Sequence, residues 1–74
     1  MNEIILLKIQ DLISFIVEKK NFKFIDAVHY LYESISYENL TNEETKLWHL
    51  STPKLFEILE IEKITNEFIY PDFV

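Results

Sequence analysis

The first 20 residues carry apolar side chains at the period of an α-helix. Four branched apolar residues follow spacings of four, three and four positions: Ile5, Ile9, Leu12 and Ile16. An α-helix turns once in about 3.6 residues, so these side chains share one face. A helix over residues 2–20 with so broad an apolar face must be covered by other elements. The periodicity therefore predicts a fold built on helix packing.

Helix-boundary residues divide the chain into segments. Asn2 is a predicted N-cap of the first helix, and Asn21 follows its last periodic residue. Ser51 or Thr52 is a predicted N-cap of a later helix, and Pro53 is tolerated in its first turn. The chain has no glycine, so left-handed backbone positions should fall to asparagine. The asparagines near predicted boundaries are Asn21, Asn39, Asn42 and Asn66.

We therefore expect a compact all-α bundle with a single domain over residues 1–74. The expected parts are three main helices at about 2–20, 23–35 and 52–65, an ordered connection over 37–50, and a short apolar C-terminal tail. On the second helix, the periodicity predicts a buried face made of Phe24, Ile25, Val28, Leu31, Tyr32 and Ile35. The same period places three residues of this helix off the predicted buried face: Ala27, Tyr30 and Glu33.

The connection contains the only tryptophan of the chain. Thr41 and Glu44 have the spacing of a capping box, which favours a turn or a short helix there. Leu47, Trp48 and Leu50 are expected to pin the segment to the core, since they are its large apolar side chains. The connection is thus predicted to be a structural hub that leads into the last helix.

Composition points to binding through the surface. The chain has 74 residues, of which 49% are apolar and 15% aromatic, and it has no cysteine to form a disulfide. A domain of this size has few fully buried positions, so some large side chains must stay at the surface, where they favour contact with a partner. The residues expected to contact a protein partner or a second copy are Trp48, Tyr37, Phe68, Tyr70 and Phe73.

The charge is acidic and uneven. Residues 1–37 carry five acids and four lysines, whereas residues 38–74 carry eight acids and three lysines, for a total net charge of −6. Without arginine and with few lysines, nucleic-acid binding is disfavoured, including a helix-turn-helix mode. Glu57, Glu60 and Glu62 instead suggest an alternative, in which the chain is an acidic mimic that binds a nucleic-acid-binding protein.

The sequence gives little support for a catalytic, cofactor or metal site. The chain lacks the glycine-rich loops that cradle phosphates and the thiolates that hold metals. His29 and His49 are 20 residues apart, and neither belongs to a metal-ligand motif. We therefore expect no enzymatic activity, no cofactor and no metal. No stretch is long enough to span a bilayer and none has the pattern of a signal peptide, so a cytoplasmic protein is expected.

A segment of the chain resembles small bacterial proteins that have no assigned activity. Their pattern is an apolar helix ending in Tyr-x-Ser, then Tyr-x-x-Leu, then Glu-Glu-Thr-x-Leu-aromatic, and then another helix. The matching positions are Tyr32, Ser34, Tyr37, Leu40, Glu43, Glu44, Thr45, Leu47 and Trp48. The resemblance covers about half of the chain and implies a short helical accessory domain, encoded near toxin–antitoxin-like or mobile-element genes. It brings no catalytic residue with it.

Overall fold

The fold is all-α, as the sequence predicts. A computed structural model describes residues 2–72, and this part of the chain contains helices and turns but no strand. It has four α-helices and two short 3₁₀ turns: α1 (Glu3–Lys20), α2 (Phe24–Tyr32), α3 (Ile35–Thr41), the turns Glu43–Thr45 and Leu47–His49, and α4 (Thr52–Thr65). The described part of the chain therefore has one more α-helix than the three main helices expected.

The predicted helix caps are confirmed. The Asn2 side chain accepts a hydrogen bond from the backbone N–H of Ile4 at 2.7 Å, and the Ser51 hydroxyl accepts one from Lys54 at 3.3 Å. Asn21 and Asn66 end α1 and α4 in the left-handed conformation. Local side-chain chemistry thus determines where these two helices begin and end.

Two expectations about left-handed residues are corrected. Asn39 lies within α3, and Asn42 is extended at the end of that helix, so neither is left-handed. The third left-handed residue of the described chain is Lys46, with φ of 60°. Lys46 joins the two 3₁₀ turns, and the sharp change of direction there requires a positive φ whatever the residue type.

The predicted helix over 23–35 is two helices. α2 ends at Tyr32, and the Ser34 hydroxyl accepts a hydrogen bond from the backbone N–H of Tyr37 at 3.0 Å. Because a serine in this role caps the helix that follows it, the chain turns at Ser34 and starts α3. The start of the expected connection over 37–50 is therefore part of a separate helix of seven residues.

α1 is the centre of the core, and its predicted face is confirmed. Phe15 of α1 lies 5.1 Å from Phe56 of α4 between ring centroids, and the Lys20 ammonium lies 2.6 Å from Glu60. From Phe15 to Lys20 along α1, the contacts on α4 advance from Phe56 to Glu60. The two helices therefore run parallel. The core contains twelve buried apolar residues: Ile5, Ile9, Leu12, Ile13, Ile16, Ala27, Leu31, Leu40, Leu47, Leu55, Ile58 and Leu59.

α2 packs on the core through a face that only partly overlaps the predicted one. Leu31 and Val28 pack inward as predicted, but so do Ala27 and Tyr30, which were expected to point elsewhere. Ala27 and Leu31 are fully buried, whereas Phe24, Ile25 and Tyr32 are exposed. Most positions of α2 are apolar, so the periodicity allows more than one inward face. The face with the small Ala27 side chain packs inward, and a small residue lets a helix approach its neighbour closely. The large side chains are thereby left outside.

The connection is ordered, as expected, although the Thr41–Glu44 capping box does not form. The Asn42 side chain accepts the hydrogen bond from the Glu44 N–H instead, at 3.1 Å. The Thr41 hydroxyl donates back to the carbonyl of Tyr37 within α3. Of the three residues expected to hold this segment, Leu47 is buried, and Trp48 and Leu50 are partly buried against the core.

The tail follows α4 without regular structure and lies against the folded body. Phe68 packs on the core, and the Tyr70 hydroxyl donates a hydrogen bond to the carbonyl of Thr45. The tail is therefore docked at least as far as Tyr70. Phe73 lies outside the described residues.

Candidate functional site

Trp48 lies at the boundary between the core and the surface. Its ring is partly buried, and its indole N–H donates a hydrogen bond to the carbonyl of Glu43 at 3.0 Å. The exposed His49 ring packs edge-on against it, with 4.1 Å between the centroids. Trp48 therefore ties the two 3₁₀ turns together and has only part of its ring available to a partner.

The Tyr37 side chain of α3 packs against the exposed side of α2. Its ring stacks on that of Tyr32, with centroids 4.5 Å apart and an angle of 21° between the planes. Burial raises the pKa of Tyr37, and the neighbouring Tyr32 adds to the rise. The stacked pair links α2 to α3 and carries aromatic surface across the turn between them.

The tail and α4 enclose a shallow groove that includes Glu57. The groove has a volume of about 110 Å³ and is lined by Lys54, Glu57, Ile58, Ile61, Ile69 and Pro71. Pockets for small-molecule ligands usually have about 300–1,000 Å³. The groove is therefore smaller than a typical ligand pocket and comparable in size to a side chain.

Glu60 is committed to contacts within the molecule. Its carboxylate pairs with Lys20 at 2.6 Å and accepts a hydrogen bond from the Tyr30 hydroxyl. The Lys63 ammonium lies 4.6 Å from the centre of the Tyr30 ring. The hydrogen bond to Glu60 raises the pKa of Lys20, and burial followed by the contact with Glu60 raises the pKa of Tyr30. This cluster fastens α1 and α2 to α4.

Glu62 is buried, which does not suit the acidic-mimic alternative, because that alternative needs its charge at the surface. Its carboxylate accepts hydrogen bonds from the backbone N–H of Ile35 at 2.9 Å and of Ser36 at 2.7 Å, and from the Ser36 hydroxyl at 2.6 Å. Burial opposes ionisation, but the hydrogen bonds from Ser36 and Ile35 outweigh it and lower the pKa of Glu62. Glu57 is therefore the only fully exposed member of the predicted acidic trio.

An exposed apolar surface follows one side of α2. Phe24, Ile25 and Tyr32 are 68%, 57% and 49% exposed, and the partly buried Val28 lies between them. We call these four residues the α2 apolar face. Beyond the end of α2, Ile35 is 43% exposed and extends the surface toward α3. Exposed apolar patches of this kind on a small protein typically mark contact sites.

The helical periodicity did not predict this exposed surface, because it assigned the same residues to the buried face of the second helix. One signal in the sequence does point to it. Seven of the nine residues from Phe24 to Tyr32 are apolar, and a helix that is apolar nearly all round cannot bury every side in so small a domain. Some large side chains of α2 had to face outward.

Charged residues flank α2. Lys23 precedes the helix and Glu33 follows it, and both are exposed. His29 and Asp26 lie on the polar side of α2, and the His29 Nδ1 is 3.0 Å from Glu33. Glu33 therefore lies with His29 on the polar side of α2, away from the α2 apolar face.

Clusters of metal ligands and membrane-spanning helices are both absent from residues 2–72. Within that range, no group of three or more histidine or carboxylate side chains is arranged to hold a metal ion. None of the helices described there combines the length and the apolar composition needed to cross a membrane. Comparison with known protein families, with curated proteins and with solved structures found no match to this chain.

Proposed function

We propose that this chain is a non-enzymatic protein-interaction module that binds through the α2 apolar face. The observation that carries the proposal is the outward position of Phe24, Ile25 and Tyr32 on a well-formed helix. Apolar side chains at spacings of three and four residues are the anchors that helices use in protein grooves and in helix pairs. Tyrosine and phenylalanine are also enriched at interfaces.

The energetics favour occupation of this face. Fully burying a large apolar side chain contributes about 1.5–3 kcal/mol, and about half of each of these side chains is still open to water. A partner that covers the face would gain part of this free energy from each of them. A small domain without disulfides would also be stabilised by such a partner.

The proposed role is that of a cytoplasmic accessory or antitoxin-like protein, with a protein partner or a second copy as ligand. The alternative of an acidic regulator for a nucleic-acid-binding protein relied on Glu57, Glu60 and Glu62. Two of these carboxylates form internal contacts, at Lys20 and at Ser36. Support is therefore stronger for the apolar face than for an acidic one.

The test compares two charged variants. Ile25→Glu with Tyr32→Glu places charge on the α2 apolar face, and Ile64→Glu places charge on an apolar side chain that is 81% exposed on α4. We expect the wild type and I64E to associate with a partner chain or with themselves, and the α2 double variant to lose this association. Association is measured by sedimentation velocity and by affinity capture from the native cell.

A single outcome would refute the proposal. In that outcome, the wild type is monomeric at all accessible concentrations. Every protein that the wild type captures is also captured by the α2 double variant, so the face has no partner. Circular dichroism is measured for both variants, and a folded spectrum of the α2 double variant would establish that its loss of binding is not a loss of structure.

A further inference from the structure

We infer that the tail over residues 67–72 is a strap that covers two apolar side chains of α4, Ile58 and Ile61, and opens on its own while the helices stay folded. We call these two residues the α4 strip. This role of the tail is independent of the α2 apolar face and goes beyond the proposed function.

The tail turns back at the end of α4 and lies over part of that helix. Asn66 ends α4 with φ of 62°, and a left-handed residue at this position stops the helix and redirects the chain. Ile69 and Pro71 of the tail then line the same groove as Ile58 and Ile61. The tail therefore lies beside the α4 strip instead of continuing away from the helix.

Few contacts hold the tail in this closed position. Among the residues that the structure describes, no hydrogen bond between backbone groups joins 67–72 to another segment. Phe68 packs on the core near the start of the tail, and the Tyr70 hydroxyl donates to the carbonyl of Thr45 further along. Segments with few buried contacts and no backbone pairing open at a lower free energy than a helical core.

The tail also fits α4 incompletely. The groove between them keeps a volume of about 110 Å³, and Ile69 and Tyr70 remain about half exposed to water. Dispersion contacts stabilise a structure only where the atoms are closely packed, and a gap forfeits them. Opening the tail therefore sacrifices little packing.

Opening changes the surface that α4 presents. With the tail closed, Ile58 is buried at the edge of the core and Ile61 is partly exposed. Removal of the tail uncovers both side chains on the groove side, while Leu55 and Leu59 stay buried in the core. The tail therefore controls how much apolar surface α4 exposes.

Thiol labelling tests whether the tail opens on its own. The chain has no cysteine, so Ile58→Cys places a single thiol beneath the tail. Leu59→Cys is the matched control at the next position of α4, where the side chain is fully buried in the core. We expect a thiol-specific reagent to label I58C on the order of 100-fold faster than L59C, because L59C reacts only when the core opens.

The dependence on urea separates local opening from global unfolding, and it needs only I58C. The slope against urea increases with the surface that an opening exposes. Labelling of I58C should therefore rise with urea much less steeply than the unfolding of the same variant followed by circular dichroism. Equal slopes would mean that the tail opens only with the whole fold, which would overturn the inference.

Tyr70→Phe tests whether the tail is what protects position 58. This change removes the hydroxyl that donates to Thr45 and keeps the ring. In the I58C background it should speed labelling roughly fivefold, the factor expected from one ordinary hydrogen bond, when the tail recloses faster than the thiol reacts. Tyr32→Phe, at an exposed position of α2, is the matched control and should leave the rate unchanged. If Y70F does not change the labelling rate either, the tail does not cover the α4 strip and the inference is refuted.

Discussion

The carboxylate of Glu62 on α4 caps the start of α3 by accepting two hydrogen bonds from Ser36, one from the backbone N–H at 2.7 Å and one from the hydroxyl at 2.6 Å. The first N–H groups of any helix lack partners within that helix. A negative charge at this end also suits the helix dipole. The two residues are 26 positions apart, so this contact joins distant parts of the chain.

Replacing Glu62 by glutamine should destabilise the protein by about 1–3 kcal/mol, because hydrogen bonds to a buried charge are among the stronger ones. Glu57→Gln, on the exposed side of the same helix, should change the free energy of unfolding by less than about 0.5 kcal/mol. Urea unfolding followed by circular dichroism measures both. Equal stabilities for E62Q and E57Q would show that the cap contributes nothing.

The contribution of Glu62 should depend on pH. Its pKa is lowered from the ordinary value of 4.5 in the folded protein. Above pH 4.5 the carboxylate is ionised in both the folded and the unfolded states, so the stabilisation is complete. As the pH falls through 4.5 and then through the folded pKa, the unfolded chain takes up the proton first, and the stabilisation is lost.

The measurement for this pH effect is the difference in stability between the wild type and E62Q, followed from pH 7 to pH 3. Other acidic groups titrate in both proteins and cancel in the difference. We expect the difference to shrink as the pH falls. A difference that stays constant over the whole range would contradict the role assigned to the ionised carboxylate.

Substitutions of Trp48 should separate its hydrogen bond from its packing. Trp48→Phe loses the bond to the Glu43 carbonyl and should cost about 1 kcal/mol. Trp48→Ala also loses the packing of a partly buried ring and should cost about 2–3 kcal/mol, below the range of about 3–5 kcal/mol for fully buried rings. Glu44→Ala, at an exposed position of the neighbouring 3₁₀ turn, is the control and should change the free energy of unfolding by less than about 0.5 kcal/mol. Thermal unfolding measures the stability of both variants. Equal losses of stability in W48F and W48A would mean that the packing of the ring contributes nothing.

Glycine at position 46 should stabilise the protein. Lys46 has φ of 60° between the two 3₁₀ turns, where a residue with a side chain is strained and glycine is not. We expect Lys46→Gly to raise the free energy of unfolding by about 0.5–1 kcal/mol. The control, Lys54→Gly in the first turns of α4, should lower it by up to about 1 kcal/mol because glycine weakens a helix. A loss of stability in both variants would indicate that the Lys46 side chain has a contact that outweighs the strain.

Features governed by neighbouring residues were readable from the sequence. Asn2, Asn21 and Ser51 mark helix ends because a cap is a hydrogen bond or a backbone conformation within a few residues. The buried face of α1 was also predictable, since the apolar and polar residues of this long helix lie mostly on separate sides. The all-α class follows from the same local signals.

Tertiary structure alone decided which side of α2 faces the core and where Glu62 finds its partners. α2 is apolar at most positions, so its pattern does not choose between Ala27 and Phe24 as the inward residue, and close packing against the rest of the core makes that choice. Glu62 resembles its exposed neighbours in sequence. It is buried because the chain turns at Ser34 and brings the unpaired N–H groups of α3 to its carboxylate. Contacts between residues so far apart depend on how the helices pack, which no local pattern encodes.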